Sequence, residues 1–161
     1  MNVYEFAREC EKAAEKTYLN LAVKAGNKGM KAIFTMLAEM EKKHFDALLQ
    51  LEKSLVTKLP DFNPLKEVKK QFMKMKADKA GFKKDLSLIE VYQKAQQKEK
   101  EAEKFYMDKS KEANDPGQKA LLVEMAGEEG RHFIILENII EFSKGPSAYL
   151  ESEILNTLER E

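Results

Sequence analysis

The 161 residues include one cysteine and no tryptophan. A lone Cys10 cannot close an intramolecular disulfide, so a disulfide scaffold is excluded. No charge of either sign is in excess. The 28 Lys and Arg balance the 28 Asp and Glu, which removes the broad basic field that gathers nucleic acid or anionic lipid. The sequence also has no apolar run of about 18 residues and no secretory leader, so a cytoplasmic location without a membrane partner is expected. Four prolines and seven glycines give few breaks. Against that scarcity the chain is rich in Lys, Glu, Ala, Leu and Met, which by intrinsic preference favours an all-α fold. Its length suits a single domain over residues 1–161.

Histidine is scarce as well, and its placement is informative. The two histidines end the stretches EKKH, residues 41–44, and EGRH, residues 129–132, each three places after a glutamate. Sliding the chain along itself by 88 residues without a gap lays residues 1–54 on 89–142 and matches 18 positions. Shared composition alone would give about three or four, so the chain contains a duplication. Matched pairs include Tyr4 with Tyr92, Glu11 with Glu99, Glu15 with Glu103 and Tyr18 with Tyr106. Gly29 matches Gly117, Glu41 matches Glu129 and His44 matches His132.

Each copy reads as a helical hairpin. In the first, about residues 3–54, Phe6, Ala13, Ala14, Tyr18, Leu21 and Ala22 recur at helical spacing. A break at Gly26 to Gly29 follows, and Ile33, Met36, Leu37, Met40 and Leu48 resume the pattern. The second, about 88–143, repeats this around Asn114, Asp115, Pro116 and Gly117. The intervening stretch, about 55–86, is too long for a tight link and predicts a crossover. Within it Leu65, Val68, Phe72 and Met75 form a helical stripe, and eight lysines between 66 and 84 read as its solvated face. Beyond Gly145 and Pro146, a short fifth helix over about 147–160 is expected to cap the bundle or pair two chains as a homodimer.

Helix geometry then gathers the acids. Glu11 and Glu41 lie at similar distances on either side of the turn near Asn27, so at ~1.5 Å per residue they end at similar height. A glutamate and a histidine three apart share one helix face. Two related hairpins therefore deliver Glu11, Glu41, His44, Glu99, Glu129 and His132 to one place. This is the ligand pattern of a di-iron or di-manganese carboxylate site in a four-helix bundle. Hard oxygen donors with two imidazoles suit iron or manganese better than a structural zinc.

The paired hairpins, EKKH, EGRH and the seven-residue steps from Glu11 to Tyr18 and Glu99 to Tyr106 resemble the ferritin-like superfamily. Within it they are most similar to the rubrerythrin-type di-iron proteins, over about residues 3–142. The resemblance implies a ferritin-like four-helix bundle holding two iron ions, with manganese as the alternative metal. It also implies oxidation of ferrous iron by peroxide or dioxygen, as a peroxidase in oxidative stress or as a ferroxidase. In that pattern Glu41 and Glu129 bridge, His44 and His132 each hold one metal, and Glu11 and Glu99 are terminal ligands. Tyr18 and Tyr106 would hydrogen-bond to ligand carboxylates. Two departures stand out. The 161 residues contain no four-cysteine rubredoxin segment, so an external electron donor such as a rubredoxin is expected. The extra glutamate that rubrerythrin places three residues after its third-helix ligand is Ala102 here, matching Ala14, which points toward the plainer ferroxidase arrangement.

Plainer roles compete for several residues. Glu15 and Glu103 lie one turn beyond Glu11 and Glu99 and are alternative ligands, although surface or supporting ions suit them better. Glu128 stands four before His132, but its counterpart is Met40, so symmetry argues against it. The histidines alone could be core residues, and the tyrosines packing residues. Cys10 reads as a small buried hydrophobe without a role, and Met30, Met36, Met40, Met73 and Met75 as core filling.

Overall fold

The computed structural model describes residues 2–78 and 81–159. They form α1 (Val3–Lys24), α2 (Lys28–Glu52), α3 (Pro64–Asp78), α4 (Ile89–Glu112), α5 (Pro116–Lys144), α6 (Pro146–Leu150) and a 3₁₀ helix (Glu153–Glu159), with no strand among the described residues. Helix starts follow local chemistry. The side chains of Asn2, Asn27 and Asp115 each accept a first-turn N–H, from Glu5, Met30 and Gln118, at 2.8, 2.9 and 2.9 Å. Such caps satisfy donors that the helix itself leaves unpaired. Asn27 and Asp115 are equivalent in the duplication, and Pro116 adds a ring pre-set for the first helical position.

Helices α1 and α2 pack as one antiparallel hairpin and α4 and α5 as another, with α2 meeting α5 between them. The crossover helix α3 lies against α2, α5, α6 and the 3₁₀ helix. Gly29 permits a close approach there, since a Cβ at this position would stand 2.1 Å from Met75 Cε. At that end of the molecule the Phe72 ring packs at a tilt against Phe142, with centroids 5.4 Å apart, and edge-on against Tyr149, with centroids 5.0 Å apart. Fully buried side chains such as Ile33, Leu37 and Leu48 each stabilise the fold by about 1.5–3 kcal/mol through removal from water. No helix among the described residues is long and apolar enough to cross a membrane.

Three details differ from the sequence expectation. The buried face of α1 carries Ala7, Glu11, Tyr18, Leu21 and Ala22. Phe6 and Ala13 therefore face solvent, Phe6 at 57 % exposure, because the seam passes through a glutamate that an apolar pattern skips. The fifth helix is not continuous. Ser152 Oγ donates to the Tyr149 carbonyl at 2.7 Å and accepts from the Ile154 N–H at 3.3 Å, and this local bonding divides α6 from the 3₁₀ turn. Residue 160, in the expected span, lies outside the described residues. Finally, Cys10 and Met73 are exposed, whereas Met30, Met40 and Met75 are buried as expected.

The C-terminal segment is fastened by one buried amide. Asn138 on α5 accepts from Tyr149 Oη at 2.6 Å, and its Nδ2 donates to Thr157 Oγ1 and the Ile134 carbonyl, both at 2.9 Å.

Candidate metal centre

The buried core falls into two apolar clusters. One contains Tyr18, Leu37, Tyr92 and Ile135, the other Ala7, Leu48, Tyr106 and Met125. Along α1, α2, α4 and α5 the chain passes from one cluster to the other, and at each passage it carries a glutamate or a Glu-x-x-His pair. Glu11, Glu41, His44, Glu99, Glu129 and His132 are all buried, none more than 3 % exposed. A polar layer thus lies across the middle of an otherwise apolar bundle.

The six side chains converge in two overlapping groups. Ligand atoms of Glu11, Glu41, His44 and Glu129 lie within 4.8 Å of one another, as do those of Glu41, Glu99, Glu129 and His132. Glu41 and Glu129 belong to both groups. The imidazoles are nearly parallel, with centroids 6.1 Å apart and planes at 11°. Nδ1 of each ring faces the carboxylates: His44 Nδ1 stands 2.7 Å from Glu129 Oε1, and His132 Nδ1 stands 2.9 Å from Glu41 Oε1 and 3.5 Å from Glu99 Oε1. The tyrosines reach across the duplication rather than along their own helices. Tyr18 Oη donates to Glu99 Oε1 at 2.6 Å, and Tyr106 Oη donates to Glu11 Oε1.

Burial sets the proton affinities. At Glu41 and Glu129 desolvation, followed by repulsion from neighbouring carboxylates, pushes the carboxyls well above their ordinary range. Glu11 and Glu99 are desolvated too, yet both end below it. Glu11 is held down by the Glu41 carboxyl, His44 and Tyr106; Glu99 is held at about 2 by His132, the Glu129 carboxyl and Tyr18. The shared carboxyls therefore hold protons more tightly than the two outer ones. Desolvation opposes charge on His44, but Glu11, Glu128 and Glu41 outweigh it and raise its affinity. Burial, then the surrounding carboxylates, raises both phenols well above the usual tyrosine value, so they remain donors.

The donor set fits a cation. Buried atoms without a hydrogen-bond partner among the described residues are Glu11 Oε2, Glu41 Oε2, His44 Nδ1, Glu99 Oε2, Glu129 Oε1 and His132 Nε2. Leaving polar atoms so unsatisfied costs about 1–3 kcal/mol each, and all six belong to residues of the two donor groups, whose carboxylate oxygens and imidazole nitrogens suit a divalent ion. Glu15 and Glu103, weighed as alternatives, fall outside both groups. Glu103 lies along the α4–α5 seam, where its Oε2 occupies the space that a Cβ at Gly130 would need, and its Oε1 stands 3.8 Å from Lys100 Nζ.

Symmetry between the two copies argues against one residue that nevertheless meets the site. Glu128 is buried, and its Oε1 lies 2.6 Å from His44 Nε2. The signal was present in sequence as an acid one place before the EGRH stretch, but comparison of the two copies hides any group that only one copy has.

A ferritin-like helical bundle enclosing buried glutamate and histidine groups that could hold metal is the class that fold and site together define. A family model described as Rubrerythrin matches residues 2–140, and the chain belongs to the rubrerythrin family. No curated protein and no solved structure matches it.

Proposed function

We propose that the chain is a non-haem di-iron protein that couples oxidation of ferrous iron to reduction of hydrogen peroxide or dioxygen. The overlap of two four-residue donor groups at Glu41 and Glu129 carries this reading. Those two carboxylates would be shared between the ions, and Glu11 with His44 and Glu99 with His132 would hold the two ends. Four carboxylates offset two divalent charges and leave a near-neutral buried unit, which lowers the desolvation penalty. Two ferrous ions held there would supply two electrons, enough with two protons to reduce one peroxide to two waters.

The protein's own groups do the rest. Tyr18 and Tyr106 fix one oxygen each of Glu99 and Glu11, leaving the second oxygen of each free. The apolar clusters on either side keep bulk water from the layer. Turnover needs an outside reductant, for which a rubredoxin-like donor is suitable, and a homodimer is the expected assembly. Mixing the anaerobic ferrous protein with peroxide in a stopped-flow instrument should produce near-ultraviolet ferric absorption within one turnover. A flat trace with iron bound would refute the reading.

A second reading has its own support. Ala102, three residues after Glu99, is packed against the apolar cluster and Ala14 occupies the equivalent place in the first hairpin, so neither half offers an additional carboxylate there. That symmetry favours a ferroxidase that detoxifies or stores iron without peroxidase turnover. Retention of iron well beyond two ions per chain, with dioxygen but not peroxide consumed, would select it.

A further inference from the structure

The six-residue cluster obeys the duplication, but its surroundings do not. His44 Nε2 and Glu128 Oε1 meet at 2.6 Å, with the histidine fully buried and the glutamate side chain only 6 % exposed. The position equivalent to Glu128 in the first hairpin is Met40, and His132 Nε2 has no hydrogen-bond partner among the described residues. Glu128 is also walled in. Met40, Lys43, Leu59, Pro60 and Phe62 share a small crevice with it, so the start of the crossover covers this side of the site.

The consequence follows from imidazole chemistry. A neutral ring that binds a cation through Nδ1 must carry its one N–H on Nε2. At His44 that N–H donates to Glu128, which fixes the ring plane and makes the ligating nitrogen more basic. His44 Nδ1, although 2.7 Å from Glu129 Oε1, is out of line for a hydrogen bond and already unpartnered. His132 is arranged the other way. Its Nδ1 is engaged with Glu41 Oε1 at 2.9 Å, and its Nε2 would have to hold a proton where no described residue accepts one.

We propose that Glu128 is a positioning residue that makes the two halves of the metal centre unequal, so that the group of Glu11, Glu41, His44 and Glu129 takes the first ion and binds it more tightly than the His132 group binds the second. The inference rests on the metal-binding reading above and deepens it.

Co(II) is the probe, added without oxygen to the metal-free full chain and followed by calorimetry and visible absorption. The protein is expected to bind in two steps whose dissociation constants differ by roughly 10- to 100-fold. Glu128→Leu should weaken the tighter step by about that factor and leave the other unchanged. Glu128→Gln keeps a carbonyl acceptor and should recover part of the loss. Met40→Glu, by placing a carboxylate at the equivalent position, should tighten the weaker step. Should a variant fail to fold, anomalous diffraction from the unaltered protein with one equivalent of Co(II) decides the matter. A single peak beside His44 supports the inference, and equal peaks or a peak beside His132 overturn it. Equal steps in the unaltered protein, or equal weakening of both by Glu128→Leu, overturn it while leaving the metal-binding reading intact. Failure to take up any Co(II) overturns both.

Discussion

Metal should stabilise this fold, and by more as pH rises. On the proposed reading the two donor groups take one ion each. At a free Mn(II) concentration about 100 times the dissociation constant, each ion contributes about 2.7 kcal/mol, or about 5 kcal/mol together. For a chain of this size 1 kcal/mol moves Tm by about 2–4 °C, so a rise of about 10–20 °C is expected. The pH dependence follows from the shifted groups. Glu41 and Glu129 bind protons more tightly in the folded state than at their ordinary value of 4.5, so they favour the metal-free fold fully below that pH. That contribution is lost as pH rises through their folded values, and His44, raised above 6.5, acts in the same direction. Glu11 and Glu99 run oppositely. Their contribution is complete above 4.5 and disappears only on acidification, for Glu99 through about 2. Above pH 4.5 the metal-free protein therefore loses stability as pH increases, whereas a loaded site has already released those protons. Differential scanning calorimetry with and without Mn(II) should show a larger gain at pH 8 than at pH 5.5. Glu129→Gln should raise the metal-free Tm at pH 8 and reduce the gain from metal. A gain that is absent, or equal at both pH values, or retained in full by Glu129→Gln, would refute the reasoning.

Other perturbations separate the site from its supports. Tyr18→Phe and Tyr106→Phe each remove a hydroxyl that donates to a buried carboxylate and should cost about 1.5–3 kcal/mol in urea denaturation of the metal-free protein. Loss of less than about 0.5 kcal/mol, the scale of an inert surface change, would deny those bonds a role. Glu15→Gln and Glu103→Gln should leave metal stoichiometry unchanged by atomic absorption, because neither residue belongs to the donor groups. Asn138→Ala cuts the links to Tyr149 and Thr157 and should expose residues beyond 145 to limited proteolysis well before α1 to α5 are cleaved. Equal susceptibility of both regions would show that aromatic packing alone secures the C-terminal segment.

The hairpins, the crossover and the six converging donors were legible because duplication supplied an internal control: residues recurring 88 positions apart share an environment. Where the copies diverge that control fails. Glu128 has Met40 as its counterpart and so no echo in the first copy, yet its carboxylate meets His44. Periodicity misplaced Phe6 and Ala13 because a glutamate occupies the buried seam of α1, and the apolar count was drawn to the neighbouring face. The resemblance implies that the tyrosines bond to ligand carboxylates, and they do, but which carboxylate each reaches is not encoded in the spacing. The hydroxyls cross to the other hairpin, a tertiary relation that no helical repeat records. Division of the last helix turned on a single serine hydroxyl, a bond too local to disturb an apolar pattern.

Metal content of protein purified without oxygen tests the central claim most directly. Atomic emission analysis should find about two iron or manganese ions per chain, falling to near zero when Glu41 and Glu129 are both changed to alanine. A chain that carries no such metal, or a double variant that retains the full amount, would contradict it.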